Sequence, residues 1–325
     1  MQKELINTIF VGGMNADIIA SGVNKFLNPG EQTSSGKTII GAGGKSRNMA
    51  HMMSLYAGPG QVAMLSKTVR DPYHLWEIPV KALQEAGAVT DYIKILSSDE
   101  TDKLPTIAII IVNKQGENQI YLLPGISEDF SPQDIEDAQE LFDIVQQNKG
   151  ILALSLEMPL ATAIQAVKKA NQMGIKVFLD PGGIMPDVDY SELLAQDFFL
   201  IKPNEHEVQM LTGIPVTDFD SAAQAAEAFH KLGFENVIIT RGVKGAYVFN
   251  ENTKKHIPIP NLTGFDQFDE TGCGDQTMAV LCAEYLQGKS ILESTKQAVL
   301  AGTVQFFRTG IQPLTRQEVM DAQPK

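Results

Sequence analysis

Residues 269–277 read Asp269-Glu270-Thr271-Gly272-Cys273-Gly274-Asp275-Gln276-Thr277, and an apolar run, Met278-Ala279-Val280-Leu281, follows directly. Apolar residues at Met278, Leu281, Cys282 and Tyr285 repeat at i, i+3, i+4 and i+7, so the spacing predicts an amphipathic helix here. Gly272 and Gly274 stand at its mouth, where residues without a Cβ let the backbone turn sharply. Such a turn aims unpaired N–H groups and the positive end of a helix dipole at whatever lies in front, a place suited to a phosphoryl group in transit. Asp275 is the anomaly. A carboxylate at a helix start is ordinarily a cap, but beside an anion hole it can take the proton of an attacking hydroxyl.

Working outward, 325 residues at 43% apolar and 20% charged fit a globular chain, and an α/β fold of this length can be one domain. A formal net charge of −13 argues against nucleic acid or an anionic membrane as partner. An acidic enzyme acting on phosphorylated ligands must therefore concentrate its few cations locally. Cys273 and Cys282, nine apart, would face nearly opposite sides of the helix. They make neither a disulfide framework nor a metal pair, which favours a reducing, cytoplasmic setting. Two readings of Cys273 stand: a thiolate favoured by the helix dipole, with a pKa below the free value of about 8.5, or an inert buried thiol. The N-terminal stretch lacks a signal-peptide apolar run, no segment approaches the roughly 20 apolar residues of a membrane span, and the five histidines are scattered.

Along the chain, Thr8–Val11 followed by Gly12-Gly13 reads as a buried strand and a tight turn, with Asp17 in the loop beyond. Residues 33–40 read as a strand with little to bury, and Gly41-Ala42-Gly43-Gly44-Lys45-Ser46-Arg47-Asn48 opens a helix. Residues 62–65 read as a strand and 78–87 as a helix. Residues 106–112 and 118–122, around Lys114-Gln115-Gly116, read as a β-hairpin outside the main alternation. From Ile151 strands and helices alternate: strands at 151–156, 175–179, 198–201 and 237–240, helices at 160–173, 205–211 and 222–232. That order implies a mostly parallel sheet with helices on both faces and ligands at the carboxyl ends of its strands. Glu157, Asp180, Asn204, Glu207 and Arg241 each follow such a strand. Asn204 with Glu207 three residues on also reads as a helix capping box.

Asp269-Glu270-Thr271-Gly272-Cys273-Gly274-Asp275 resembles the D-T-x-G-A-G-D signature of the ribokinase-like (phosphofructokinase B) family of sugar and nucleoside kinases, with Glu270 for Thr and Cys273 for Ala. Gly43-Gly44-Lys45-Ser46-Arg47-Asn48 resembles the family's G-G-K-G-A-N, departing at Ser46 and Arg47. A need for a glycine conformation at 46 would reshape that loop, crowding a free sugar or reaching toward a base. The resemblance runs in consistent order from Gly12 to about Pro313 and implies one ribokinase-like α/β domain over 1–325, its small β lid built from about 13–42 and 100–123.

The resemblance further implies an ATP- and Mg²⁺-dependent kinase acting on the primary hydroxyl of a sugar. Asp275 would be the base and the backbone of Gly272, Cys273 and Gly274 the anion hole. Asp17, Gly43, Gly44, Lys45, Asn48 and Glu157 would bind the sugar, Asp17 and Asn48 from separate loops. Asn204 and Glu207 would organise the water shell of Mg²⁺. Thr240, Arg241, Gly242 and Gly245 would meet the ATP phosphates, Arg241 offsetting their charge. Asp269 and Thr271, with the segment 308–313, match a K⁺ site, although Leu314 stands where the family's ribose kinases have Ser. A homodimer through the lid is also implied. The sugar-facing residues match the ribokinase branch and point to ribose. The alternatives are a nucleoside kinase and a silent sugar- or nucleotide-sensing homologue; a dinucleotide-binding oxidoreductase is disfavoured, since no G-x-G-x-x-G follows a strand.

Overall fold

Strand β1 (Thr8–Val11) is buried at all four positions, which explains why its sequence is an unbroken apolar run. Ile9 and Val11 face one hydrophobic layer and Phe10 the other. The computed structural model describes residues 3–262, 269–308 and 310–322. After β1 the chain leaves for β2 (Asn15–Val23) and β3 (Lys37–Gly43), then returns through helix α1 (Lys45–Ala57) to β4 (Val62–Val69), α2 (Glu77–Glu85) and β5 (Ile93–Leu96). A hairpin of β6 (Ile107–Asn113) and β7 (Asn118–Leu123) leads to α3 (Pro132–Asp137) and α4 (Gln139–Gln147). The alternation then runs β8 (Ile151–Ser155), α5 (Leu160–Gln172), β9 (Lys176–Asp180), α6 (Ser191–Leu194), β10 (Leu200–Ile201), α7 (Glu205–Thr212), α8 (Phe219–Lys231) and β11 (Asn236–Thr240). A second hairpin, β12 (Ala246–Asn250) and β13 (Thr253–Ile257), precedes α9 (Cys273–Leu286), α10 (Ile291–Phe306) and α11 (Arg316–Asp321).

The large sheet has the order β13-β12-β11-β10-β9-β8-β1-β4-β5, parallel from β5 to β11 and antiparallel at β12 and β13. Its strands alternate between two cores. Leu152, Leu154, Val177 and Leu179 pack toward α4 to α8, while Ile151, Ala153, Phe178 and Ile238 pack toward α1, α2, α9, α10 and α11. The chain extends from β1 toward β5 on one side and from β8 toward β13 on the other. The switch point of the sheet, where ligands of open α/β folds bind, therefore lies between β1 and β8. No helix among the described residues is long and apolar enough to cross a membrane.

The expected hairpin belongs to a separate four-stranded sheet, β3-β2-β6-β7, in which β2 and β6 are parallel and the outer pairs antiparallel. Ile40, Ile18, Ile109 and Tyr121 align across one of its faces, and Ile39, Ile19, Ile110 and Ile120 across the other. Ile39, Ile40, Ile109, Ile120 and Tyr121 are exposed, so neither face is covered within the chain.

Three expectations are corrected. Asp17 lies on β2, not in a loop, because Asn15, Ala16 and Asp17 pair with Gly43, Ala42 and Gly41. By the same pairing the strand expected at 33–40 runs from Lys37 to Gly43, and the helix begins only at Lys45. Helix α9 is not amphipathic. Met278 to Ala283 are all at most 2% exposed, since α1 and α10 both pack on it.

Glu284, near the end of α9, is wholly buried and ties these helices together. It accepts from the Tyr56 hydroxyl of α1 (2.8 Å), from Arg316 of α11 (2.6 Å) and from Lys289. Burial opposes ionisation, but Lys289, Tyr56 and Arg316 hold the carboxyl below its usual range. Its contribution to stability is therefore present above the ordinary glutamate pKa and lost as pH falls through the lowered one. Glu284→Ala should cost about 1–3 kcal/mol, read from urea unfolding at neutral pH, because it leaves the buried Tyr56 hydroxyl without its acceptor and frees the half-buried Arg316 and the exposed Lys289. A loss under about 1 kcal/mol would show that the cluster is not a structural centre.

Candidate active site

The corner between β3 and α1 brings the first group of site residues together. Gly44, the residue before α1, has φ 95°, and a Cβ there would lie 2.7 Å from the carbonyl oxygen of Gly13. A Cβ on Gly43 would collide with the Asp17 carboxylate. These two glycines let β3 pass close beside the turn after β1, so that Lys45 and Asn48 enter the space at the carboxyl ends of the strands.

Ser46 and Arg47 need no glycine conformation, because both lie within α1. The buried Ser46 hydroxyl donates to the Val11 carbonyl (2.8 Å) and shares a hydrogen bond with Ser155 (2.8 Å), joining α1 to β1 and β8. Arg47 is almost wholly buried. Its Nε donates to the Gly43 carbonyl (3.2 Å), one Nη to the Ala42 carbonyl, and the other meets His51 Nδ1 at 2.9 Å. Burial lowers the Arg47 pKa to about 10, with Asp17 opposing. Burial and the neighbouring Arg47 lower His51 to about 4, so its neutral ring accepts. Burial raises Asp17 to about 6 against the attraction of Arg47 and a hydrogen bond from Asn15.

Lys45, Asn48, Glu157 and Asp275 converge. Glu157, in the turn after β8, accepts the Lys45 backbone N–H (2.7 Å), and burial pushes its carboxyl up. Asn48 Nδ2 donates to Asp275 Oδ2 (2.8 Å), while Asn48 Oδ1 is buried without a partner among the described residues. The Asp275 carboxylate raises the Lys45 pKa most, ahead of Asp180, Glu157 and Glu207. The Lys45 side chain lies against Gly182, where an added Cβ would sit 2.5 Å from its Cδ.

Beyond Lys45 and Asp275 opens a cavity of about 320 Å³. Asp180, Lys202, Asn204 and Glu207 from the ends of β9 and β10 form one wall, and Thr240, Gly242, Val243 and Gly245 after β11 a second. Cys273, Gly274 and Thr277 of α9, with Gly302 and Phe306 of α10, close it. Asp180 and Lys202 form a buried ion pair (2.8 Å), and Asp180 also accepts the Gly182 N–H (2.9 Å). Against burial, Asp180 and Glu207 keep the Lys202 pKa above its usual value, and Lys202 and Lys45 keep that of Asp180 below. Burial and Asp180 raise that of Glu207. Helix α9 starts from Gly272 at φ 75°. The N–H groups of Gly274 and Asp275 have no partner among the described residues, as expected of a first helical turn.

The model of the pfkB family carbohydrate kinases matches residues 7–317. A ribokinase of Haemophilus influenzae is 30% identical over 315 residues, covering 96% of both chains. A deoxyribokinase of Salmonella typhi is 29% identical over 304 residues, covering 94% of both. Among solved structures, Arabidopsis thaliana ribokinase complexed with ribose and ATP superposes with a TM-score of 0.84 at 25% identity, covering 98% of each chain.

Several expected roles meet a different geometry. Arg241 does not line the cavity; its Nε pairs with Glu205 (2.6 Å) and its Nη atoms with the Tyr247 hydroxyl (2.6 Å) and the Thr217 carbonyl (2.9 Å). Lys45 and Lys202 are the cations that line the cavity, and the strand-end reading passed over Lys202 although it directly follows β10. Asn204 and Glu207 form the capping box, Glu207 N to Asn204 Oδ1 and Asn204 N to Glu207 Oε2, both at 2.9 Å. The Cys273 N–H turns back to the Glu270 carbonyl (3.3 Å), so of the three amides expected in the anion hole this one has a partner among the described residues, while those of Gly272 and Gly274 have none. Asp269 and Thr271 bond to each other, Thr271 N to Asp269 Oδ1 at 2.8 Å. Thr309, in the segment matched to the K⁺ site, lies outside the described residues.

The reading of Cys273 as an activated thiolate is also corrected. Burial, followed by the carboxylates of Asp269, Glu270 and Asp275, pushes the thiol up to about 12, and these charges outweigh the helix dipole. Iodoacetamide at pH 8 should therefore modify under about one-tenth of native Cys273 in the time that fully alkylates the unfolded chain, as read by peptide mass spectrometry. Rapid native labelling at Cys273 would refute this.

Proposed function

The chain belongs to the pfkB family of carbohydrate kinases, and on that premise we propose that it transfers the γ-phosphoryl group of ATP to the primary hydroxyl of ribose or a ribosyl compound, with Asp275 as general base. The observation that carries this reading is the Asn48–Asp275 contact at the head of α9. It orients a carboxylate beside the cavity lined by Lys45 and Lys202, and Asp17, Asn48 and Glu157 are read as the polar rim that takes the sugar. The sugar hydroxyl oxygen bonds to Pγ while the bridging P–O bond to ADP breaks, and the hydroxyl proton passes to Asp275. The free Gly274 and Asp275 amides and the two lysines offset the charge on the moving group.

The unpaired Asn48 Oδ1 wants a donor, which a sugar hydroxyl supplies, and ionised Asp17 accepts further hydroxyls. Among the described residues no three His, Cys, Asp or Glu side chains cluster as a metal cage. The donor set therefore fits Mg²⁺ held mainly by phosphates and water, with Glu207 and Asn204 at its shell; bound there, Mg²⁺ supplies charge neutralisation. The exposed lid fits a homodimer. The face carrying Asp17, Ile19 and Ile110 covers the sugar, and the face carrying Ile18, Ile109 and Tyr121 meets a second copy. The two free cysteines suit a cytoplasmic setting.

A second reading, 2-deoxyribose as substrate, draws support from the deoxyribokinase relative. The nucleoside reading draws no support from Ser46-Arg47, since both lie within α1 and the Arg47 guanidinium bonds to the Gly43 and Ala42 carbonyls.

Asp275→Asn should lower kcat by about 10²–10⁴ with an unchanged unfolding midpoint; near-normal turnover would remove Asp275 from the chemistry. In one assay series with ribose, 2-deoxyribose, adenosine and fructose, ribose should lead 2-deoxyribose in kcat/KM by about tenfold or more, since a missing hydroxyl leaves a buried partner unpaired. The KM for ribose should rise as pH drops below about 6, because protonated Asp17 loses acceptor strength, while the KM for ATP stays flat across that step. Deoxyribose ahead of ribose would favour the second reading, and adenosine ahead of both would reinstate a nucleoside kinase.

A further inference from the structure

Gln305, in the last turn of α10, is fully buried at the seam between the loop that enters α9 and the loop that leaves α10. Its Nε2 donates to the carbonyl oxygens of Thr271 (3.1 Å) and Gly310 (2.7 Å). The N–H groups of the same two residues donate to one carboxylate, Thr271 to Asp269 Oδ1 and Gly310 to Asp269 Oδ2, each at 2.8 Å. Both polar edges of residues 271 and 310 are thus pinned, the N–H groups by Asp269 and the carbonyls by Gln305. Thr271 leads directly into Gly272 and the free amides at the start of α9.

The resemblance implies a monovalent cation at this seam, and the described residues do not fit one. A K⁺ ion needs several oxygens turned toward it, but among the described residues the Thr271 and Gly310 carbonyls are turned onto the Gln305 amide, each Asp269 oxygen accepts an N–H, and the single side-chain oxygen here left without a partner, Gln305 Oε1, is one ligand and not a set. The reversed amide would bring Gln305 Oε1 against two carbonyl oxygens, an arrangement that only a cation between them would stabilise. Leu314, wholly buried, adds no side-chain oxygen.

We propose that the Gln305 amide takes the place of this cation, holding the entrance of α9 in its anion-binding shape, so that turnover needs no monovalent cation. The inference rests on the kinase reading of the site. Enzyme prepared in tetramethylammonium chloride is compared with enzyme in KCl at equal ionic strength. The kcat should differ by less than about twofold, and the melting temperature should not move, since an ion bound only to the folded state would raise it. A joint rise of kcat by more than about threefold and of melting temperature in KCl would overturn the proposal.

Gln305→Glu supplies a third oxygen in place of the donor. It should lose about tenfold or more in kcat in tetramethylammonium, through displaced amides, and regain most of it with K⁺. Should that variant fail to fold, Gln305→Ser opens the same space without a buried charge and should show the same K⁺ rescue. Full activity of Gln305→Ser in tetramethylammonium would overturn the role of the amide. Absence of sugar-dependent turnover in every salt would sink the kinase reading alone, leaving the wild-type melting comparison to judge the cation.

Discussion

The cavity depends on the buried pair of Asp180 and Lys202. Burying two ions costs several kcal/mol each, and such a pair persists only where geometry and further hydrogen bonds compensate. Here compensation comes from the parallel sheet, which ends β9 and β10 side by side, from the Gly182 N–H on Asp180, and from the charges of Lys45 and Glu207 nearby. The chain is strongly acidic, with a formal charge of −13. A polyanion can enter it only where lysines are fixed, and these two are held by carboxylates that cannot turn away into solvent.

Helix α1 connects this charge balance to the lid. Within four residues it carries Lys45 toward the cavity, Ser46 onto β1 and β8, Arg47 onto the root of β3, and Asn48 onto Asp275. A shift of the small sheet that disturbs the Arg47 contacts acts on the same helix turn that orients Asp275. The half-buried His51 ring, held neutral, completes the Arg47 shell without adding a competing charge.

Capping and the proposed chemistry meet at two helix starts. At α7 the residues expected at a metal's water shell form a complete capping box, so any role toward a metal is additional to a structural one. At α9 no side chain caps the helix; Gly272 turns the backbone and the first amides stay open. The difference is chemical. A capped helix start has spent its donors, whereas an uncapped one keeps them for an anion.

The alternation of strands and helices from Ile151 to Thr240, the hairpin around 114–116, the glycine corner at 43–44 and the position of Asp275 at a helix start were legible in the sequence, because each rests on local periodicity or on a conformation that glycine alone adopts freely; α6, the β12–β13 hairpin, α10 and α11 were not read from it. What the sequence by itself determined was which backbone segments meet at the strand ends. Only the tertiary structure decided which side chains face the ligand space. Arg241, which reads as a phosphate partner, is consumed by Glu205, Tyr247 and Thr217, while Lys202 takes the cavity wall. Helix α9 reads as amphipathic yet is buried all round, because α10 arrives from later in the chain to cover its second face. Burial, with nearby carboxylates, keeps the Cys273 thiol protonated where the dipole would activate it, and the carbonyls matched to a cation are met by Gln305. Hydrogen bonds and charges between segments distant in sequence have no period to betray them, so their outcome is settled only when the chain has closed on itself.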